Sequence, residues 1–238
     1  MKTKIKIFTS INPKWYDTIK NDVTNILYNK FTRNVLNVRV VKVLSHKFVD
    51  TDISVWVDGN VILKDDFDPE EILGEYDMVL LEHPERDCIY EEYEEAKKRI
   101  STDIEGCEWI DEQIQRYRGD SFPEHQGLWF TTMIIRRENE RVRRFNETWW
   151  SEISRYGYRD QISLPVVLAN NPDLRLKTLR LEDYRLLNKN PARDNKYFVR
   201  PEHAAESMSV RKIMLYTKKR ISNFLIKAIR FVKSETSL

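Results

Sequence analysis

Ser54-Val55-Trp56-Val57-Asp58-Gly59-Asn60 is the sharpest local pattern in the chain, an apolar run that stops on an acid, a glycine and an amide. In open α/β sheets ligands collect beyond the carboxyl ends of strands, and Asp58 is the first residue past such a strand. A bend at Gly59 lets Asp58 and Asn60 project toward one ion. Hard divalent cations take oxygen ligands and keep part of their shell for water and substrate phosphates. The pair therefore suits Mn²⁺ or Mg²⁺ carrying a diphosphate. Asp-Gly and Gly-Asn are also common hairpin dipeptides, and on spacing alone an ordinary turn is the commoner explanation. His203, after the last expected strand, can close a metal shell, although an isolated histidine is usually polar surface.

His83, Arg86, Glu91 and Glu92 gather around the next strand end. Arg86 can clamp a phosphate or carboxylate through two nitrogens, and His83 can ligate or donate. The plainer reading makes His83-Pro84 a loop start and the glutamates a solvated helix face. Glu124-His125 lies in a polar loop before a buried strand, where a base for an acceptor hydroxyl could stand; loop polarity explains it equally well. Arg159-Asp160-Gln161 opens a helix, and Asp160 there fits a plain N-cap. Trp149 and Trp150 read as packing.

These residues need elements to hold them. Residues 4–8 alternate as a strand, and Trp15, Ile19, Val23, Ile26 and Leu27 have helical spacing up to about Phe31. Residues 38–44 and 53–57 are β-branched runs, and 77–82 is a further strand. Helices are expected over about 88–100, 105–117, through Phe145 to Trp150, and from Arg159, where Pro165 is tolerable if it lies near the first turn. Strands over 128–135, 174–179 and 197–199 complete the body. Strands alternating with helices predict an α/β layered fold around a mixed, mostly parallel sheet.

Composition narrows the field. A chain of 238 residues with 41% hydrophobic and 33% charged residues is one large domain with an appendage, not a disordered tail or a coiled-coil rod. Its six glycines never fall closer than eight residues apart, which excludes GxGxxG and the P-loop. Two cysteines with no CxxC spacing predict free thiols and a cytoplasmic setting. No apolar run approaches the ~20 residues that span a bilayer. We divide the chain into a catalytic body, 1–204, and a tail, 205–238. The tail holds eight basic and two acidic residues. Val210, Ile213, Ile221, Phe224, Leu225, Ile229 and Val232 follow one helix face with Lys218, Lys219, Lys227 and Arg230 interleaved, a basic amphipathic helix. It suits an anionic surface at the inner face of a membrane, or packing on the body or a second subunit.

The blocks Lys42 and His46, Asp52-x-Ser54-x-Trp56-x-Asp58-Gly59-Asn60, His83-Pro84-x-Arg86-x-Cys88-Ile89-Tyr90-Glu91-Glu92, Gln113 and Tyr117, Gly127-Leu128, Ile134-Ile135-Arg136-Arg137, Trp149-Trp150 and Arg159-Asp160-Gln161 occur in an order that resembles the TOD/MUCI70-like family of glycosyltransferases. The likeness runs from about Val35 to Val167. It implies the nucleotide-diphospho-sugar transferase type A (GT-A) fold, in which the Asp58 block corresponds to the metal-binding Asp-x-Asp with Asn60 in place of the second acid. It also implies that Asp160-Gln161 is similar to the Asp-Gln near the anomeric carbon in retaining hexosyltransferases of that fold. The expected activity is transfer of a hexose from a nucleotide diphosphate sugar to a glycan or lipid-linked acceptor, with no nucleic-acid partner. Asp58, Asn60 and His203 are the metal candidates, and Asp160, Gln161 and Glu124 the catalytic ones. His83, Arg86, Glu91, Glu92, Arg159 and Trp56 are the substrate-binding candidates. A metal-assisted hydrolase using the same carboxylates, or a non-catalytic sugar-nucleotide binding module, is the alternative.

Overall fold

The computed structural model describes residues 2–11, 23–59, 61–63, 67–100, 104–156, 159–180 and 198–199. Asn60, His203 and the whole expected tail helix lie outside the described residues. Elements follow in the order β1 (Ile5–Thr9), β2 (Thr24–Asn25), α1 (Asn34–Val43), a 3₁₀ turn (Ser45–Lys47), β3 (Ile53–Val57), β4 (Ile62–Leu63), α2 (Pro69–Leu73) and β5 (Met78–Glu82). Then come α3 (Ile89–Ile100), α4 (Ile104–Gly119), β6 (Trp129–Arg137), α5 (Glu140–Tyr156), α6 (Asp160–Ala169), β7 (Leu176–Leu179) and β8 (Phe198–Val199).

Six strands form the main sheet in the order β2-β1-β3-β6-β5-β7. Every neighbouring pair is parallel except the two that involve β6, so β6 alone runs against the rest. The sheet is thus mixed and mostly parallel, as expected. β4 and β8 pair separately and antiparallel. All five residues of β3 are buried, because both faces of this strand are covered and a continuous apolar run is what such a strand requires. On one face Phe8, Trp56, Met78, Leu80 and Ile134 meet α1, α5 and α6. Val142, Phe145, Trp149 and Ile153 supply the i, i+3, i+7 stripe of α5. On the other face Ile53, Val55, Val57, Val79, Leu81, Met133 and Ile135 pack with Leu73 of α2. A third cluster joins α3, α4 and α6 through Ile89, Ile110, Ile114, Tyr117 and Ile162.

Three expectations need correction. Residues 38–44 are not a strand: they lie in α1 and its C-terminal residue, with Val40, Val41 and Val43 buried in the core. Burial between the sheet and α5 overrides the weak preference of valine for strands. The described part of the expected first helix holds β2 instead, and Asn25 pins that segment by exchanging hydrogen bonds with Ile11 N–H and C=O. Pro165 lies in the sixth position of α6, beyond its first turn.

The feature that most shapes the site is an irregularity in β6. Val79 pairs with Ile135, but Leu81 pairs with Phe130, so β6 carries extra residues between these contacts. On its other side β6 stays with β3, and Asp58 N–H donates to Thr132 C=O at 2.8 Å. Such bulges bend a strand and re-aim its side chains. Here the irregular segment contains Thr131.

Candidate active site

Asp58 stands just past β3, at the sheet edge where β1, β3, β5 and β7 end and the antiparallel β6 begins. Its side chain is 33% exposed. Trp56, two residues earlier and 1% exposed, donates its indole N–H to Asp58 Oδ1 at 3.1 Å. Trp56, a candidate for substrate binding, reaches the site through Asp58: its ring is core, edge-on to Phe8. A Cβ at Gly59 would come within 2.2 Å of Ile11 Cδ1, so the end of that side chain would have to turn aside.

Lys42, in the last turn of α1, reaches the same place. Its side chain is 2% exposed, and the ammonium donates to Thr131 Oγ1 at 2.8 Å, lies 2.7 Å from Asp160 Oδ2 and 3.9 Å from Asp58 Oδ1. Thr131 in turn donates to Asp160 Oδ2 at 2.9 Å. Arg39, one turn before Lys42, lies 3.3 Å from Asp160 Oδ1. Burial would raise the Asp160 carboxyl, but Arg39 and Lys42 outweigh it and hold the group well below the usual carboxylate range. Burial is the largest influence on Lys42 and lowers the ammonium below its ordinary value, while Asp160 and Asp58 act against it and support the charge.

Asp160 is consequently not an N-cap. Arg159 occupies that position with no side-chain cap bond, and Asp160 is the first residue of α6 with its carboxylate turned into this buried cluster. Trp149 fixes the same turn by donating its indole N–H to Asp160 C=O at 3.2 Å and Ser163 Oγ at 3.1 Å. Gln161 is partly buried, and its amide comes to 3.5 Å from Trp129 C=O.

A second cluster adjoins the first through Arg159. Glu92 on α3 is 1% exposed and receives Arg159 Nη2 at 2.5 Å and Arg86 Nε at 3.0 Å. Arg86 also donates to Glu85 at 3.1 Å. Glu92 is therefore an anchor for two guanidinium groups and not a solvated helix residue. His83 accepts from the N–H groups of Glu85 and Arg86 at Nδ1, 3.2 and 3.1 Å away. Both bonds need a lone pair at Nδ1, so a neutral ring carries its proton on Nε2, 3.9 Å from Glu92 Oε2.

Beside this cluster lies a cleft of about 310 Å³ lined by Glu82, His83, Arg86, Glu91, Trp129 and Thr178 among others. Glu91 is exposed there. Glu124 is exposed on the 120–127 loop and does not line the cleft. Its neighbour His125, in the left-handed region at φ 55°, meets Asp87 of the cleft rim at 2.7 Å, and that carboxylate raises the imidazole above its ordinary value.

Among the described residues no three His, Cys, Asp or Glu side chains are placed to share a metal ion. The donor set at the end of β3 is one carboxylate, with Asn60 and His203 outside the described residues. A single hard oxygen ligand fits an ion that completes its shell with phosphate and water, and does not fit an all-protein cage.

Fold and site together define an α/β protein with a polar, carboxylate-bearing centre at the carboxyl edge of a mixed sheet. The family model for the TOD1/MUCI70 glycosyltransferase-like domain matches residues 19–189, most of the chain, and the protein belongs to that family. The match extends beyond both ends of the likeness read from the motif blocks. No curated protein matches the chain. The family supports a transferase of the glycosyltransferase class.

Proposed function

We propose that the protein transfers a hexose from a nucleotide diphosphate sugar to a hydroxyl of a glycan or lipid-linked acceptor. The observation that carries this reading is that Asp58, past one strand, and Asp160, at a helix start far along the chain, meet on Lys42 in a glycosyltransferase-like domain. In this reading the GT-A fold implied by the motif blocks places the donor diphosphate beyond β3. Mn²⁺ or Mg²⁺ held by Asp58 and Asn60 would offset the charge of the diphosphate as the sugar leaves.

The chain's own residues then have distinct parts. Trp56 orients Asp58. Asp160 is saturated by Arg39, Lys42 and Thr131, so it serves as a fixed negative charge near the sugar and not as a mobile base. Gln161 presents an amide for sugar hydroxyls. The anomeric C–O bond breaks with its electron pair leaving on the diphosphate, the acceptor oxygen bonds to the anomeric carbon, and the acceptor proton passes to a carboxylate. Glu91 in the cleft is better placed for that proton than Glu124. The basic tail supports an anionic membrane surface as the place where a lipid-linked acceptor is met.

Incubating the full chain with nucleotide diphosphate hexoses, Mn²⁺ and glycan acceptors, and resolving products chromatographically, tests the reading. Release of the nucleoside diphosphate with a lengthened acceptor is expected. Free hexose alone would favour the hydrolase, and no turnover with any donor would favour a binding module.

A further inference from the structure

The ammonium of Lys42 serves two carboxylates at once. It is bonded to Asp160 at 2.7 Å and stands 3.9 Å from Asp58 Oδ1, the same oxygen that accepts the indole N–H of Trp56 at 3.1 Å. Asp58 is thus approached on one side by a buried positive charge and a donor. An effective dielectric of about 20 leaves a charge at this distance a strong influence on the carboxylate. For a divalent cation arriving by itself, that is a poor site, because its single formally charged ligand already faces a buried ammonium and an indole donor. A diphosphate brings its own negative charges and changes the balance.

Resting on the glycosyltransferase reading, we propose that Lys42 is a positioning residue that tempers Asp58, so that the site declines a bare divalent cation and accepts one together with the nucleotide diphosphate. Its tie to Asp160 and Thr131 is what keeps the ammonium in place. Thr131 is turned toward it by the irregularity in β6, and Arg39 holds the opposite oxygen of Asp160. The arrangement makes the charge at Asp58 depend on residues of α1, β6 and α6 together.

The test is Mn²⁺ binding to the full chain without nucleotide, followed by electron paramagnetic resonance. Lys42→Met keeps the length of the stem and removes the charge. Lys42→Met with Asp160→Asn also removes the buried carboxylate that the first change would leave with Arg39 and Thr131 alone, so that positive and negative charge are removed together and circular dichroism checks that the fold is kept. Both are expected to bind Mn²⁺ at least about tenfold more tightly than wild type. Adding Asp58→Ala to the double variant is expected to abolish the gain. A merely structural lysine would lower stability and leave Mn²⁺ affinity where it was. Unchanged affinity in the folded double variant, or a gain that survives Asp58→Ala, would overturn the proposal. Because no nucleotide is present, this outcome is separate from whether the protein turns over a sugar nucleotide.

Discussion

Asp160 shows what a residue's type and place in sequence disclose and what they leave out. An aspartate at a helix start reads equally well as a cap or as chemistry. The structure removes the cap by aiming the carboxylate away from the helix amides and onto Lys42, Thr131 and Arg39. Asp160→Ala leaves a buried ammonium without its main partner, a loss of about 3–5 kcal/mol, where a lost cap costs about 0.5–2 kcal/mol. Urea unfolding is expected to give the larger figure, and transfer to disappear. Asp58 was legible because a β-branched run ending in Asp-Gly is a local pattern. Lys42 stands among the motif blocks but its meeting with Arg39 at one carboxylate was not legible: read in a strand, residues three apart point to opposite faces, whereas in α1 they lie on one face. Glu92 was legible as an acid on a helix, but its burial under Arg86 and Arg159 depends on packing that spacing does not contain.

The elements themselves were read best where periodicity was strong. β3, β5, α3 and α4 fall close to their expected bounds, and α5 and α6 occur where helices are expected, since the strand runs end on turn residues and the long amphipathic stripes admit one reading. α1 and β2 were misread because a short valine-rich run is compatible with either state and only its neighbours decide. α5 does more than cover the sheet. Through Trp149 it holds the first turn of α6, the turn that carries Asp160. Trp149→Phe retains most of the packing but removes the indole donor shared by Asp160 C=O and Ser163 Oγ, leaving Asp160 C=O its bond from Ser163 Oγ at 3.3 Å, which costs about 1–3 kcal/mol. We expect a matching fall in urea stability together with a lower kcat, because the turn that aims Asp160 loses its outside support. Stability loss with unchanged kcat would show that α6 holds Asp160 unaided.

Across the whole molecule the sheet edge opposite the site is closed by Asp77, fully buried at the start of β5, which accepts from Arg141 of α5, Arg175 before β7, and Asn139. Burial would raise the Asp77 carboxyl, but these hydrogen bonds outweigh it and hold the group well below the ordinary range, as at Asp160. A carboxyl whose folded pKa lies below its unfolded value contributes stability in full above the unfolded value, near 3.8, and loses it as pH falls toward the folded one. The urea midpoint is expected to be level from neutral pH to about 5 and to drop steeply below that. Asp77→Asn should lower it at neutral pH and flatten the acid limb. Among the described residues no helix is long and apolar enough to cross a membrane. We propose that the Asp58 centre receives a nucleotide diphosphate sugar, which calorimetric titration of wild type and Asp58→Ala with such donors and Mn²⁺ measures. Binding of one donor by wild type, weakened a hundredfold or more by Asp58→Ala, is the predicted result; equal affinity in the two proteins, or binding of no donor by wild type, would contradict it.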